Sequence, residues 1–164
     1  MQKLTKKLII ITGTPGTGKS TLAQALVKRN KFERIDLHHH YQQLSLGYNQ
    51  HKQCYETDRT KLLQLVEQKM KIAKVPLVLD SHISHLLPKK LVKICIVLTC
   101  SNLKILEKRL KKRKYTNTKI RENLDAEIFQ VCLIEAKEQG HTVLTFDTAK
   151  EPTSSIIHKF SKSL

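Results

Sequence analysis

Residues 13–20 read Gly13-Thr14-Pro15-Gly16-Thr17-Gly18-Lys19-Ser20, directly after the apolar run Leu8-Ile9-Ile10-Ile11. Three of the chain's five glycines, Gly13, Gly16 and Gly18, fall inside these eight residues. Glycine admits positive φ and lets the backbone approach a ligand closely. A glycine-rich turn from a strand into a helix aims its N–H groups at one point beside the helix N-terminus, where a phosphate can sit. The spacing is that of the phosphate-binding loop, GxxxxGK[ST]. In that loop Lys19 reaches the terminal phosphates and the Ser20 hydroxyl holds Mg²⁺.

A second apolar run, Val75-Pro76-Leu77-Val78-Leu79, ends at Asp80. A carboxylate at the end of a strand beside a phosphate loop can hold Mg²⁺ or its water; the same residue can also cap a turn or helix. Asp80 opens Asp80-Ser81-His82-Ile83-Ser84-His85. His82 lies two residues past the strand end, where parallel sheets place their ligands. Two roles are open for it: an imidazole that orients a water or touches a phosphate, or a histidine bonded within its loop. His85 reads as structural. His38, His39 and His40, with His51 and Cys54, suggest zinc, but adjacent residues on an irregular segment rarely converge on one ion. A polar segment facing a nucleotide is the better reading of 38–57.

These groups need elements to hold them. The pattern predicts strands at 8–12, 32–37, 77–80, 93–99 and 142–146. Helices are predicted at 19–29, 58–74, 102–114 and 119–139, with Gly140 closing the last of these and Pro152 opening a C-terminal helix. Strands alternating with helices imply an α/β fold with a parallel sheet. At 164 residues, with neither repeat nor linker, the expected organisation is one domain.

The net charge is +16 and the pI about 9.8, which favours an anionic partner: nucleotide, RNA or an acidic protein surface. Between 104 and 121 stand Lys104, Lys108, Arg109, Lys111, Lys112, Arg113, Lys114, Lys119 and Arg121, against Glu107 alone. Arg113 and Arg121 are candidates to stabilise charge on a transferring phosphoryl group. Arg109 pairs with Glu107 or faces water. Four cysteines without CxxC or zinc spacing imply a reducing, intracellular location, with Cys95 and Cys132 as small core residues. The polar segment 1–7 runs straight into the first strand and is not a signal peptide. No run is long enough to span a membrane. Without a DxxG or an NKxD motif the chain is not a GTPase, and without an LSGGQ-like signature it is not a transporter ATPase. A small nucleotide or metabolite kinase remains.

The segments Gly13–Thr21, Leu79–Pro88 (Leu-Asp-Ser-His-Ile-Ser-His-Leu-Leu-Pro), Lys112-Arg113-Lys114-Tyr115 and Lys119–Val131 (with Asn123 and Glu127-Ile128-Phe129-Gln130-Val131) resemble the adenylate kinase isoenzyme 6 family, also known as the coilin-interacting nuclear ATPase, and its archaeal relatives. The resemblance runs from about Leu8 to Phe160. It implies a P-loop NTPase fold, a nucleoside monophosphate kinase-like three-layer sandwich on a five-stranded parallel sheet. It implies phosphoryl transfer from ATP to AMP-like acceptors, and ATP hydrolysis tied to maturation of the small ribosomal subunit, with a ribosomal protein and pre-rRNA as partners. The expected location is cytoplasmic, and also nuclear in a eukaryote. By the resemblance Gly16, Thr17, Gly18, Lys19, Ser20 and Thr21 bind ATP, with Mg²⁺ on Ser20 and Asp80. Asp80 and His82 form the catalytic D-x-H. Residues 36–59 are the monophosphate segment and 112–122 the short lid, Arg113 contacts ATP, and Lys150 lies beside the adenine. The family's lid reads Arg-Gly-Tyr, whereas this chain has Lys114 in place of the glycine.

Overall fold

A computed structural model describes residues 8–51 and 54–163. The reading of residues 1–7 therefore lies outside the described residues. Strand β1 (Leu8–Thr12) leads through the glycine loop into α1 (Lys19–Asn30). There follow β2 (Glu33–Ile35), a 3-10 turn (Leu37–His40), α2 (Tyr41–Leu44), β3 (Ser45–Asn49), β4 (Cys54–Thr57) and α3 (Arg59–Ile72). Then come β5 (Leu77–Asp80), a 3-10 turn (Ser84–Leu86), β6 (Val92–Thr99), α4 (Leu103–Lys112), α5 (Asn117–Ile128), α6 (Val131–Glu138), β7 (Val143–Asp147) and α7 (Thr153–Ser161).

Five strands form one sheet in the order β2-β5-β1-β6-β7, every pairing parallel. Successive strand residues face opposite sides, so the apolar run of β1 feeds two cores. Leu8 and Ile10 pack with Leu77, Leu79, Cys95 and Val97 against α3 (Leu62, Val66, Met70) and α6 (Ala136). Ile9 and Ile11 pack with Val78, Ile96 and Leu98 against α1 (Leu22, Leu26) and α7 (Ile156, Ile157, Phe160). A third cluster, Cys100, Leu106, Leu110 and Ile120, ties α4 to α5. With β1 in the middle of the sheet, the carboxyl ends of β1 and β5 open side by side, where open α/β sheets take their ligands.

Two elements differ from the sequence reading. The segment expected to be irregular, 38–57, contains an antiparallel hairpin, β3 on β4. The single helix expected over 119–139 is two. Gln130 takes φ 51, a left-handed conformation, and breaks it. Ile128 and Val131, which one continuous helix would place on the same apolar side as Ile120 and Leu124, are exposed at the break. Gly140 closes α6 as expected: its φ is 74, its N–H bonds to Lys137 O and the His141 N–H to Ala136 O.

Candidate active site

The loop 13–18 is shaped by its glycines. Gly13 has φ 141, and a Cβ there would lie 2.3 Å from Leu98 O on β6; no side chain fits. At Gly16, φ 89, a Cβ would meet Leu106 of α4 at 3.0 Å. Gly18, φ 95, is the N-cap of α1 and offers no side-chain cap, so the first N–H groups of the helix stay available to an anion. Thr17 Oγ1 donates to Thr14 O at 2.8 Å and braces the turn.

Lys19 begins α1, and its ammonium donates to Gly13 O at 2.8 Å and Thr14 O at 3.0 Å. Burial, with Arg113 adding to it, pulls its pKa from 10.5 down to about 8, against the pull of Cys132, Asp80 and Glu127. Arg113 caps the end of α4 with an exposed side chain, close enough for its charge to reach Lys19.

Ser20 Oγ donates to Asp80 Oδ2 at 2.9 Å. The hydroxyl proton is committed to the carboxylate and the oxygen lone pairs stay free. Two adjoining oxygen donors beside a phosphate seat suit a hard cation such as Mg²⁺. Asp80 is also gripped by a residue that no motif announced: Arg34 of β2 donates Nε to Oδ1 at 2.6 Å and Nη2 to Oδ2 at 2.9 Å. The parallel pairing of β2 with β5 sets Arg34 beside Val78, two residues short of Asp80.

The loop after β5 is pinned beneath the site. Ser81 N–H and Ser84 Oγ both donate to Ile11 O. His85 is buried between Thr12 and Glu135. Its Nδ1 lies 2.7 Å from Thr12 Oγ1 and its Nε2 lies 2.7 Å from Glu135 Oε2. Burial lowers the His85 pKa, although Glu135 opposes it. The ring is neutral, with Nε2–H donating to the carboxylate and Nδ1 accepting from the threonine. His85 is structural, as its position suggested. His82 instead presents an exposed side to solvent. Desolvation on its protein side, then Lys19, His85 and Lys119, push its pKa down to about 4. At neutral pH it is an uncharged imidazole, able to accept a proton or a hydrogen bond.

Other expected positions fall as follows. Thr21 is exposed on α1. Arg121 is exposed and turned to Asp125 of its own helix at 3.1 Å. Lys150 follows β7 and stands 3.7 Å from Asp147. Arg109 does not pair with Glu107, and it is only partly exposed. Glu107 takes Lys111, and Arg109 reaches inward to Gly16 O at 3.3 Å and Thr148 Oγ1 at 3.2 Å. Cys132 is half-buried close to Lys19, not in the apolar core, whereas Cys95 is fully buried and its thiol pushed up to about 12. Among the described residues no three His, Cys, Asp or Glu side chains gather as a metal site; the side chains of His38 and Cys54 lie outside the description, and His39 is exposed near Asp36. No helix among the described residues is long and apolar enough to cross a membrane.

Sequence reasoning missed Arg34, Lys119 and Glu127. Lys119 is buried with its ammonium 4.0 Å from the centre of the Tyr115 ring. Glu127 is buried and accepts the Cys100 N–H at 2.6 Å, which fixes the end of β6 to the α5–α6 break. Lys119 and Glu127 did carry a signal, their places in the Lys119–Val131 pattern, though neither was given a role.

A glycine loop between the central strand and α1, with Lys19 and a Ser20–Asp80 pair at the carboxyl ends of a parallel sheet, defines a P-loop protein of the nucleotide-kinase class. A family model described as an AAA domain matches residues 9–130. The isoenzyme 6 homolog of adenylate kinase from Schizosaccharomyces pombe is 37% identical over 156 residues, 94% of this chain and 87% of that protein. The isoenzyme 6 homolog from Dictyostelium discoideum is 39% identical over 137 residues, 82% of this chain and 77% of that protein. The chain belongs to the adenylate kinase isoenzyme 6 family. Its fold is shared with deoxyadenosine kinase from M. mycoides, at TM-score 0.57 and 15% identity over 95% of this chain and 97% of that one.

Proposed function

We propose that this protein, as one P-loop kinase domain over 1–164, transfers the γ-phosphoryl group of ATP to AMP and similar monophosphates. The carrying observation is the joint placement of Lys19, Ser20 and Asp80 around the glycine loop. The triphosphate lies on the N–H groups of 16–21, with Gly16, Thr17, Gly18 and Thr21 lining it. Lys19 exchanges its two carbonyl partners for β- and γ-phosphate oxygens. Ser20 Oγ and Asp80 would hold Mg²⁺, which would neutralise phosphate charge when bound. Arg113, on the short lid 112–122, closes over the transferring group, and Lys150 lies beside the adenine.

Segment 36–59 receives the acceptor. A cleft of about 210 Å³ between the start of α3 and the loop after β5, lined in part by Arg59, Thr60, Leu63, Ile83 and Leu86, supports a place for the acceptor nucleoside. Ile83 of its lining follows His82 in the chain, and His82 positions the acceptor phosphate as a neutral imidazole. Catalysis is then mainly positioning and charge stabilisation.

A second reading is favoured by α4. Its Lys104, Lys108 and Lys112 are exposed, while Arg109 and Leu106 touch the loop at Gly16. A polyanion on that helix has a direct route to the nucleotide site. This is what an ATPase assembly factor in the cytoplasm or nucleus would use, gripping a small-subunit ribosomal protein or pre-rRNA.

ATP turnover with Mg²⁺, with and without AMP, separates the two. AMP-stimulated ATP loss that yields ADP without free phosphate is the result expected of the kinase. Phosphate release indifferent to AMP but altered by RNA refutes it in favour of the ATPase.

A further inference from the structure

We infer that Arg34 is a positioning residue that governs how strongly nucleotide binding depends on Mg²⁺, an inference resting on the assignment of Asp80 to the nucleotide site. The Arg34–Asp80 contact is a fork-to-fork pair with two hydrogen bonds, the geometry in which a guanidinium orients a carboxylate as well as neutralising it. With Ser20 added, Oδ2 accepts two donors and Oδ1 one. The pair is largely withdrawn from water, with side-chain exposure of 18% for Arg34 and 4% for Asp80. The Arg34 guanidinium also lies 3.6 Å from Asp36, so it bridges the start of segment 36–59 to the metal-side carboxylate.

Two consequences point the same way. With Arg34 in place, Asp80 carries little net charge toward the phosphate seat, and a polyphosphate can settle there without a metal ion. The same guanidinium repels a divalent cation brought to Asp80. Without Arg34, a nearly dry carboxylate beside the loop keeps the Ser20 hydroxyl as a donor but loses its bonded cation. It repels a metal-free triphosphate and attracts Mg²⁺. At a few ångströms and an effective dielectric of protein-surface size, one unit of charge is worth more than a factor of ten in an equilibrium constant.

The measurement is the affinity for ATP by isothermal titration calorimetry, once in excess EDTA and once in saturating Mg²⁺, for the full chain and its variants. The quantity read is the ratio of the two dissociation constants. Arg34→Gln raises this ratio at least about fivefold, mainly by weakening binding in EDTA. Arg34→Lys keeps the cation without the fork and raises the ratio less than Arg34→Gln does. Asp80→Asn lowers the ratio toward one. An unchanged or lowered ratio in Arg34→Gln, with Asp80→Asn behaving as stated, overturns the role of Arg34 alone. A wild-type ratio in Asp80→Asn overturns the site assignment beneath it. Should Arg34→Gln fail to melt cooperatively, Arg34→Met decides by the same ratio: a rise of at least about fivefold sustains the charge role, and an unchanged or lowered ratio refutes it.

Discussion

Lys19 makes the proposed site sensitive to pH in a window where few lysines titrate. Its pKa is drawn from 10.5 to about 8 by burial and by Arg113. The ammonium is thus present at pH 7 and progressively lost as pH rises through 8. With a pKa of 8, the charged fraction falls from about ten in eleven at pH 7 to about one in eleven at pH 9. If only the charged form grips the phosphates, the association constant for ATP falls about tenfold over that step, roughly 1.4 kcal/mol. A lysine at 10.5 would lose only about 3% of its charge over the same range. Isothermal titration at pH 7, 8 and 9, at fixed ionic strength and free Mg²⁺, measures the fall directly. Lys19→Ala binds more weakly at every pH and shows no slope. His82, near 4, and the raised thiols of Cys95, Cys100 and Cys132 stay outside the window or above its middle. Flat wild-type affinity, or a slope that survives in Lys19→Ala, refutes the reasoning. The sign for folding is opposite. Between about 8 and 10.5 the unfolded chain keeps a proton that the folded chain has shed, so stability without ligand rises with pH there.

Replacing His82 by alanine lowers kcat for phosphoryl transfer at least tenfold while the dissociation constant of ATP stays within about threefold; equal losses in both would make His82 a structural histidine. Gly13→Ala forces a Cβ against Leu98 O and Thr17 Oγ1. It costs about 1–3 kcal/mol in urea unfolding and displaces the loop; an unchanged midpoint would mean the close approach is not real. Lys114→Gly removes the strain of a non-glycine residue at φ 56 and raises stability by about 0.5–1 kcal/mol, read as an upward shift in Tm. A lower Tm would show that the Lys114 side chain contributes more than its backbone costs.

The parts of the site that were legible in sequence are those encoded locally. Leu8–Ile11 declares a buried strand because a parallel sheet covered on both faces needs apolar residues at every position. Asp58 accepts from the N–H groups of Thr60 and Lys61 as the N-cap rule predicts, and Pro152 stands directly before α7, the helix it was expected to open. What escaped is encoded between distant residues or against local preference. Nothing in Lys119–Gln139 forbids a continuous helix; the break at Gln130 comes with tertiary contacts such as that of Glu127 with the Cys100 N–H. The β3–β4 hairpin was missed because its strands are short and β3 exposes Leu46 and Tyr48 instead of burying them. Arg34 and Asp80 lie 46 residues apart and meet only because β2 pairs with β5. A lone arginine in a short strand gives no warning of that.

The lid position shows how a departure from the family pattern is absorbed. Lys114 adopts a left-handed conformation, φ 56, of the kind a glycine takes without strain. Its N–H still bonds to Lys111 O, as the Arg113 N–H does to Leu110 O. The path matters because Arg113 is the last residue before the reversal and Tyr115, which carries Lys119 over its ring, is the first after it. Both cations bear on the site, Arg113 through Lys19 and Lys119 through His82. A lysine at 114 adds one more exposed charge to this cluster at the expense of backbone strain. In the proposed mechanism, the lid acts by bringing cations over a transferring phosphoryl group.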